Sequence, residues 1–353
     1  MKKLGVLVSC IFLLTNFSCT NKKSEATSCS VDAKESELFV ALAAASSEVD
    51  FSFAAERSDG RRFKYQRGSS SLLTSYESAS TSKLVTAVII LRLVEQGHLS
   101  LTDRPQDHIN TWPITNTDSL FTMTLAQLLS FTSGLESEPL CLNAAGSNFA
   151  NCVTTIGTSN AGNGVTPGAK FYYGGAHLQV AGMMAIKARN VGSWQDIFTE
   201  FKIQTGLFPT GAYDLPSSSN PRLAGGMHWT GNEYLDFLKA LKAGQLLNTS
   251  SMNLLLADHT STATIAYSPA MTGLSEDWHY GFGLWHECQS AVFNCTAGTR
   301  ISSPGAYGAY PYWDRSRNYF AVVARQGSLG TYTNGIAIER SVRTQVEAWA
   351  SCL

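Results

Sequence analysis

The clearest helical pattern in the chain covers residues 81–96. Apolar side chains recur there at positions that share one helical face, among them Leu84, Val88 and Leu91, and Gly97 follows the run as an end signal. Comparable patterns predict helices over 35–45, 125–129, 178–187, 194–202, 231–243 and 336–350. Most of the predicted helices therefore fall in the middle of the chain.

Strand-like segments gather near the two ends of the chain. Residues 51–57 and 63–66 flank Asp59-Gly60, a dipeptide typical of hairpin turns. Further strands are predicted at 280–285, 306–313 and 319–324. This order predicts an α/β (α+β) fold with one central antiparallel sheet built from both ends of the chain and flanked by terminal helices.

The helical middle, roughly residues 98–275, is expected to form an all-α subdomain inserted between the two halves of that sheet. The whole domain is expected to occupy residues 37–353. Residues 20–36 are polar and rich in Ser and Lys, so we interpret them as a tether.

Residues 1–19 have the layout of a secretory signal. Lys2 and Lys3 precede an apolar stretch, 4–14, that is too short to span a bilayer, and Ser18 precedes Cys19. Cys19 is placed as a lipoprotein cysteine would be, although Asn16 stands where such signals carry an aliphatic residue. We expect export to the bacterial cell envelope or periplasm, with membrane attachment through lipidated Cys19. Simple cleavage of the signal is the alternative.

The balance of charge limits the possible binding partners, and the cysteine count indicates how the cysteines are used. The chain has 26 Lys and Arg against 27 Asp and Glu, and this balance argues against a nucleic-acid partner. After export and processing, an even set of six cysteines remains, which favours disulfides over a metal site. The spacing favours the pairs Cys141–Cys152, Cys288–Cys295 and Cys29–Cys352, with free buried thiols as the alternative.

Metal and cofactor chemistry has no sequence signature here. The seven histidines are scattered without His-Glu-x-x-His spacing, and no Gly-x-Ser-x-Gly elbow is present. We therefore expect no metal and no organic cofactor.

Trp278, Trp285 and Trp313 lie in or near the late strands and are interpreted as core residues. One of them is a candidate wall of the cleft in which a substrate would bind.

Ser80 and Lys83 are the leading candidates for chemistry. They belong to a Ser-x-x-Lys sequence at the start of the helix predicted over 81–96, and residues three apart lie on one helical face. A serine hydroxyl needs a base to become nucleophilic, and a lysine with a lowered pKa can supply one. The alternative is a helix cap followed by a solvated lysine.

Five ordered landmarks, short segments that occur in the same order as in a known protein family, lie within residues 37–353 and support this assignment of Ser80 and Lys83. The chain resembles the serine β-lactamase-like family of class C β-lactamases, penicillin-binding D-alanyl-D-alanine carboxypeptidases and related esterases. The segments that carry the resemblance are 79–103, 125–135, 167–173, 220–226 and 280–283. The resemblance implies a β-lactamase/transpeptidase-like fold in which Ser80 is the nucleophile, Lys83 its activating partner and Tyr173 a proton relay.

The resemblance also identifies two motifs that depart from the family. Tyr173-Gly174-Gly175 aligns with Tyr-x-Asn, so Gly175 replaces an asparagine that helps to hold the substrate amide. Ser303-Pro304-Gly305 aligns with Lys-Thr-Gly or His-x-Gly, so Ser303 replaces a cation that faces the substrate carboxylate. Gly305 is expected to let the substrate lie against the strand. The amides of Ser80 and Ala306 are expected to form the oxyanion site.

These observations predict an exported serine hydrolase that acts through an acyl-enzyme on a small-molecule, peptide or ester substrate. The altered motifs favour an esterase or peptidase over a true β-lactamase. The alternative is a non-catalytic envelope binding protein on the same scaffold. An intact Tyr332-Thr333-Asn334 lies beyond the last strand and in the wrong order, so we interpret it as coincidental.

Overall fold

The structure is a computed structural model that describes residues 29–353. The predicted signal at 1–19, with Cys19, and the first part of the predicted tether lie outside the described residues. The last six tether residues, 31–36, belong instead to the first helix, which starts early because the Ser30 side chain accepts a hydrogen bond from the amide of Ala33.

Eleven α-helices are described in this range: α1 (Val31–Ala44), α2 (Ser82–Glu95), α3 (Pro105–His108), α4 (Leu125–Leu129), α5 (Phe149–Asn160), α6 (Ala176–Arg189), α7 (Trp194–Thr205), α8 (Gly231–Lys242), α9 (Thr249–Leu255), α10 (Pro269–Leu274) and α11 (Tyr332–Ala350). The strands are β1 (Ser52–Glu56), β2 (Arg62–Gln66), β3 (Ser75–Glu77), β4 (Lys170–Tyr172), β5 (Ala212–Tyr213), β6 (Met227–Thr230), β7 (Thr264–Tyr267), β8 (His279–Tyr280), β9 (Trp285–His286), β10 (Arg300–Ser302), β11 (Tyr310–Asp314) and β12 (Tyr319–Ala324). None of these helices is both long and apolar enough to cross a membrane.

The main sheet joins the two ends of the chain, as the sequence predicted. Its seven strands follow the order β2-β1-β12-β11-β10-β9-β8, and the pairs are antiparallel. Strand β1 pairs with β12 in the register Ser52↔Ala324, and α1 packs beside α11. The mixed α/β class with an antiparallel sheet is confirmed.

All three predicted disulfides are present. Cys29–Cys352 joins the segment just before α1 to the segment just after α11, across a sequence separation of 323. Cys141–Cys152 and Cys288–Cys295 close short loops with separations of 11 and 7. Arg57 reinforces the terminal junction, since its guanidinium donates to the carbonyl oxygens of Trp349 and Cys352.

Helix α2 is buried on nearly all sides. Every residue from Ser82 to Leu91 is buried, and this explains why its apolar residues spread beyond one stripe. It lies against α6 and α9. The N-terminus of this helix is thereby held in the middle of the molecule.

Two predicted strands are wrong in their bounds. The segment 280–285 is two short strands, β8 and β9, because the chain turns at Gly283, which has φ +69°. The segment 306–313 becomes strand β11 only at Tyr310, since a hydrogen bond from the amide of Gly308 to Gly305 O closes a turn first. Helix α11 begins at Tyr332, four residues earlier than predicted.

Two small sheets were not predicted. One contains β3, β6 and β5, and the other pairs β4 with β7 in parallel. These strands have two to four residues each, too few to show an alternating pattern. Both sheets hold segments beside Ser80 and Tyr173.

Candidate active site

Ser80 lies in a single 3-10 turn, Ala79–Thr81, directly before α2. Ala79 has a left-handed backbone, with φ +43°, which is costly for a residue with a side chain. The turn is tied to its neighbours, because Trp229 Nε1 donates to Thr81 Oγ1 at 2.7 Å and the Tyr234 hydroxyl to Thr81 O at 2.8 Å. These bonds hold the serine in a position that its local sequence would not favour.

Lys83 follows within the first turn of α2. Its Nζ lies 2.8 Å from Ser80 Oγ and donates to Ala224 O at 2.8 Å. The side chain is only 4% exposed. Burial, assisted by the nearby cation of Arg222 and opposed by Glu138, holds the pKa of Lys83 well below its ordinary value. A lowered pKa increases the fraction of Lys83 in the uncharged form, which is the form that can accept the Ser80 proton.

Tyr173 lies immediately after β4 and beside Lys83. Its ring stacks on Trp285 with centroids 4.9 Å apart, and Lys83 Nζ lies 4.6 Å from the Tyr173 centroid. Burial raises the pKa of Tyr173 to about 12, although hydrogen bonding with Ser80 and Trp285 opposes the rise. The side chain therefore carries its hydroxyl proton at neutral pH.

His177 supports the backbone under Tyr173. Its Nε2 donates to Tyr172 O at 2.9 Å, so Nδ1 is the acceptor for the Ser133 hydroxyl at 2.8 Å. Burial lowers the pKa of His177 to about 4, and the ring stacks on Phe131 with centroids 4.8 Å apart. A neutral imidazole fits this hydrogen-bond arrangement.

An ion pair occupies the space beside Gly175. Arg222 Nη2 lies 3.5 Å from Glu138 Oε2, and the other Glu138 oxygen accepts from the amide of Ala176 at 2.7 Å. A Cβ at Gly174 would lie 2.5 Å from Glu138 Oε1. The two glycines therefore make room for the ion pair.

Ser303, Gly305 and Ala306 lie against the turn that carries Ser80. The Ser303 hydroxyl donates to Ser80 O at 3.1 Å, so this side chain supports the nucleophile's backbone. A Cβ at Gly305 would lie 2.5 Å from Ser78 O, so the close approach of two chain segments requires glycine there. Within residues 29–353, the amides of Ser80 and Ala306 have no hydrogen-bond acceptor.

The geometry thus brings together Ser80, Lys83 and Tyr173 from two distant parts of the chain. The family model described as Beta-lactamase matches residues 56–333, which is most of the sequence. The chain belongs to the Beta-lactamase family. This result confirms the resemblance based on the five ordered landmarks.

The proteins to which this chain is similar differ widely from it in sequence. Protein flp from Staphylococcus aureus (strain MW2) is 29% identical over 113 residues, which cover 31% of this chain and only 22% of that protein. A solved putative beta-lactamase from Bacteroides dorei DSM 17855 is 23% identical, with a TM-score of 0.72 over 90% of this chain and 98% of the other. EstCE1, a hydrolase with promiscuous acyltransferase activity, is 16% identical, with a TM-score of 0.68 over 91% and 98%. At these identities the structures show a shared fold alone.

An apolar cavity lies beside Ser80 in this Beta-lactamase family member. A cavity of about 220 Å³ is lined in part by Ser80, Tyr173 and Ala306. The rest of its lining is apolar or aromatic and includes Trp278 and Trp285. Of the three late tryptophans, these two reach the cleft, whereas Trp313 lies on β11.

Sequence reasoning missed several residues of this site. Arg222 lies inside one of the quoted landmarks, but no motif assigned it a role, and Glu138 has no sequence signal. Tyr267 and Tyr332 line the cavity, and the Tyr332 hydroxyl donates to Pro269 O at 2.9 Å. Tyr332-Thr333-Asn334 is interpreted as coincidental because of its order in the chain, and Tyr332 reaches the cavity through tertiary packing at the start of α11.

Proposed function

We propose that this member of the Beta-lactamase family is an exported serine hydrolase that acts through an acyl-enzyme on an ester or amide. One observation carries the proposal. The Nζ of Lys83 lies 2.8 Å from Ser80 Oγ, and burial holds the pKa of that lysine well below its ordinary value. A serine hydroxyl beside an amine whose pKa is lowered is the arrangement that activates serine as a nucleophile.

The proposed reaction has two halves. Ser80 Oγ attacks the substrate carbonyl while its proton passes to Lys83 Nζ, and the negative charge on the carbonyl oxygen is stabilised by the free amides of Ser80 and Ala306. The leaving alcohol or amine takes a proton through Lys83 and the Tyr173 hydroxyl. Water then attacks the acyl-serine, which releases the acid and restores Ser80.

The altered motifs support an esterase- or peptidase-like activity over that of a true β-lactamase. Ser303 is neutral and donates to Ser80 O, so it supplies no cation for a substrate carboxylate. Gly175 has no side chain to hold a substrate amide, and the Arg222–Glu138 ion pair fills the space beside it.

The first experiment is intact-mass spectrometry of the chain without residues 1–19 after exposure to a fluorophosphonate. We expect a single adduct on Ser80 that is absent in Ser80→Ala and slowed at least about 10³-fold in Lys83→Ala. Ser82→Ala is the matched control, because Ser82 is a neighbouring buried serine whose hydroxyl donates to Ala79 O. A folded wild-type protein that stays unlabelled would overturn the proposal.

A second candidate function is that of a non-catalytic binding protein of the cell envelope. The Arg222–Glu138 ion pair beside Gly175 is the observation that supports it. That function predicts saturable binding of cell-wall fragments by a protein whose Ser80 does not react. Calorimetric titration with soluble peptidoglycan fragments, using wild type and Ser80→Ala, measures this directly. Equal binding by both, together with no labelling, would favour the second function.

We also propose that Cys19 carries a lipid and that the protein is held at the membrane of the cell envelope. The three disulfides agree with an oxidising compartment. Expression of the full chain in a bacterium, with fractionation and metabolic labelling by a radioactive fatty acid, tests this. Label in the wild type but not in Cys19→Ala is the expected result, and unlabelled soluble wild type would contradict it.

A further inference from the structure

The cavity beside Ser80 has walls from six separate segments of the chain. The aromatic part comes from Tyr267 at the end of β7, from Trp278 and Trp285 near β8 and β9, and from Tyr332 at the start of α11. Leu329 completes the rim. None of the residues that line the cavity is charged.

Hydrogen bonds and close packing hold these walls in place. The Tyr332 hydroxyl donates to Pro269 O at 2.9 Å, and Gly273 accommodates that ring, because a Cβ there would lie 1.9 Å from the Tyr332 oxygen. Trp278 Nε1 donates to Glu276 at 2.8 Å. These contacts indicate that the cavity is preformed.

The cavity is also connected to the reacting atoms. The amide of Gly330, next to Leu329, donates to Ala306 O at 2.9 Å, and the amide of Tyr173 donates to Tyr267 O at 3.1 Å. A substrate whose carbonyl sits between Ser80 and the Ala306 amide therefore has the cavity beside it. The two basic side chains near Ser80, Lys83 and Arg222, do not line the cavity.

We propose that the natural substrate is a carboxylic ester with an uncharged apolar group that fills this cavity. An apolar cavity of about 150 Å³ takes a benzene ring, so a volume of about 220 Å³ suits a group of roughly six to nine carbon atoms. A carboxylate in that position would lose its hydration without gaining a cationic partner. The inference rests on the proposed hydrolase function, for which it supplies the substrate class.

The reaction on such an ester balances with water as the only co-reactant. Ser80 Oγ forms a bond to the carbonyl carbon, the ester C–O bond breaks, and the alcohol leaves with the proton that Ser80 gave up. Water then cleaves the acyl-serine to the free acid and Ser80. The apolar group can belong to the acid or to the alcohol, and the test below separates the two.

The first test measures kcat/KM for two ester series. One varies the acid from acetate to octanoate as p-nitrophenyl esters, and the other varies the alcohol from ethyl to octyl as acetates. We expect kcat/KM to rise roughly threefold to fourfold per methylene group in one series, up to about six carbons. The series that rises identifies the part of the substrate that enters the cavity. Flat responses in both series would overturn the inference.

The second test measures discrimination against charge. On the acid side, p-nitrophenyl hexanoate is compared with mono-p-nitrophenyl adipate, which has the same chain length and ends in a carboxylate. On the alcohol side, hexyl acetate is compared with 6-acetoxyhexanoate. We expect the neutral ester to be favoured at least about tenfold in the series that rises. Equal rates for each neutral and charged pair would contradict an apolar site.

A charge introduced at the rim tests whether the preference for neutral esters arises in this cavity. Leu329 is 76% exposed, so Leu329→Lys should fold and should reduce the preference for the neutral ester by about tenfold. Leu73→Lys is the matched control, because Leu73 is 75% exposed and does not line the cavity, and the preference should stay unchanged. An unchanged preference in Leu329→Lys would overturn the assignment.

The two proposals fail in distinguishable ways. Ser80-dependent hydrolysis or labelling without any chain-length or charge preference would reject the apolar substrate class while the hydrolase function stands. Absence of any Ser80-dependent reaction would reject both.

Discussion

Gly175 and Arg222 are in close contact, and a side chain at residue 175 would press against the guanidinium of Arg222. A Cβ at residue 175 would lie 3.1 Å from both Nε and Nη2 of Arg222. Where the second family motif has an asparagine, this chain has Gly175, and the guanidinium of Arg222 occupies the space beside it. That arginine acts on Lys83 through its charge, and Glu138 acts in the opposite direction.

The first prediction concerns the pH dependence of Ser80 labelling. Lys83 must be uncharged to accept the proton, so the labelling rate should rise as pH increases through the lowered pKa of Lys83. Arg222→Gln removes a cation that lowers this pKa, and the rise should move to higher pH by about half a unit or more. Fluorophosphonate labelling rates over a pH series measure the shift.

Glu138→Gln is the matched control for that prediction. Glu138 raises the pKa of Lys83, so its neutralisation should move the same rise to lower pH. Circular dichroism would confirm that both variants fold. If both move the profile in the same direction, or if neither moves it, the ion pair has no electrostatic role at Lys83.

The second prediction concerns Gly305. Gly305→Ala would place a Cβ 2.5 Å from Ser78 O and 3.1 Å from Thr81 Cγ2, so the turn that carries Ser80 must move. We expect at least about a tenfold loss of Ser80 labelling and a destabilisation of about 1–3 kcal/mol. Gly146→Ala is the control, because a Cβ there meets nothing within 4 Å. Unimpaired labelling in Gly305→Ala would show that the close contact is unimportant.

The third prediction concerns stability in acid. Burial lowers the pKa of His177 from an ordinary value of 6.5 to about 4, so the unfolded chain binds a proton more readily than the folded one between these values. The folded state should therefore lose stability as pH falls from about 6.5 towards 4, by up to about 1.4 kcal/mol per pH unit from this group. Urea unfolding at a series of pH values measures the slope.

His177→Gln should reduce that slope, because glutamine does not titrate. Burial also lowers the pKa of His259 and His286, so the comparison with wild type isolates the share of His177. A nuclear magnetic resonance titration of the His177 ring in the folded wild type gives the pKa itself. A value near 6.5 would contradict the prediction even if the variant failed to fold.

The fourth prediction compares two disulfides. Replacement of Cys29 and Cys352 by serine opens a loop with a sequence separation of 323 and should cost about 2–4 kcal/mol of stability. The same replacement of Cys288 and Cys295 opens a loop with a separation of 7, and the smaller loop-closure entropy should make its cost lower. Denaturant midpoints of the two variants test the order, and a larger loss from the short loop would contradict it.

Much of the fold could be predicted from patterns within short stretches of the chain. The hairpin around Asp59-Gly60 and the last strand, Tyr319–Ala324, lie where the sequence predicted them. Strands of two residues such as β8 and β9 were not separable in advance, since their pairing depends on neighbours rather than on their own composition.

The sequence by itself determined the pairing of Ser80 with Lys83, because helical geometry places residues three apart on one face. It also indicated the three disulfides and the joining of both chain ends in one sheet. Only the tertiary structure decided what surrounds that pair. Tyr332 meets Pro269, and Arg222 meets Gly175, across long separations in sequence that no local pattern encodes. The apolar cavity and the lowered pKa of Lys83 follow from that packing, because burial depends on which distant segments close around a residue.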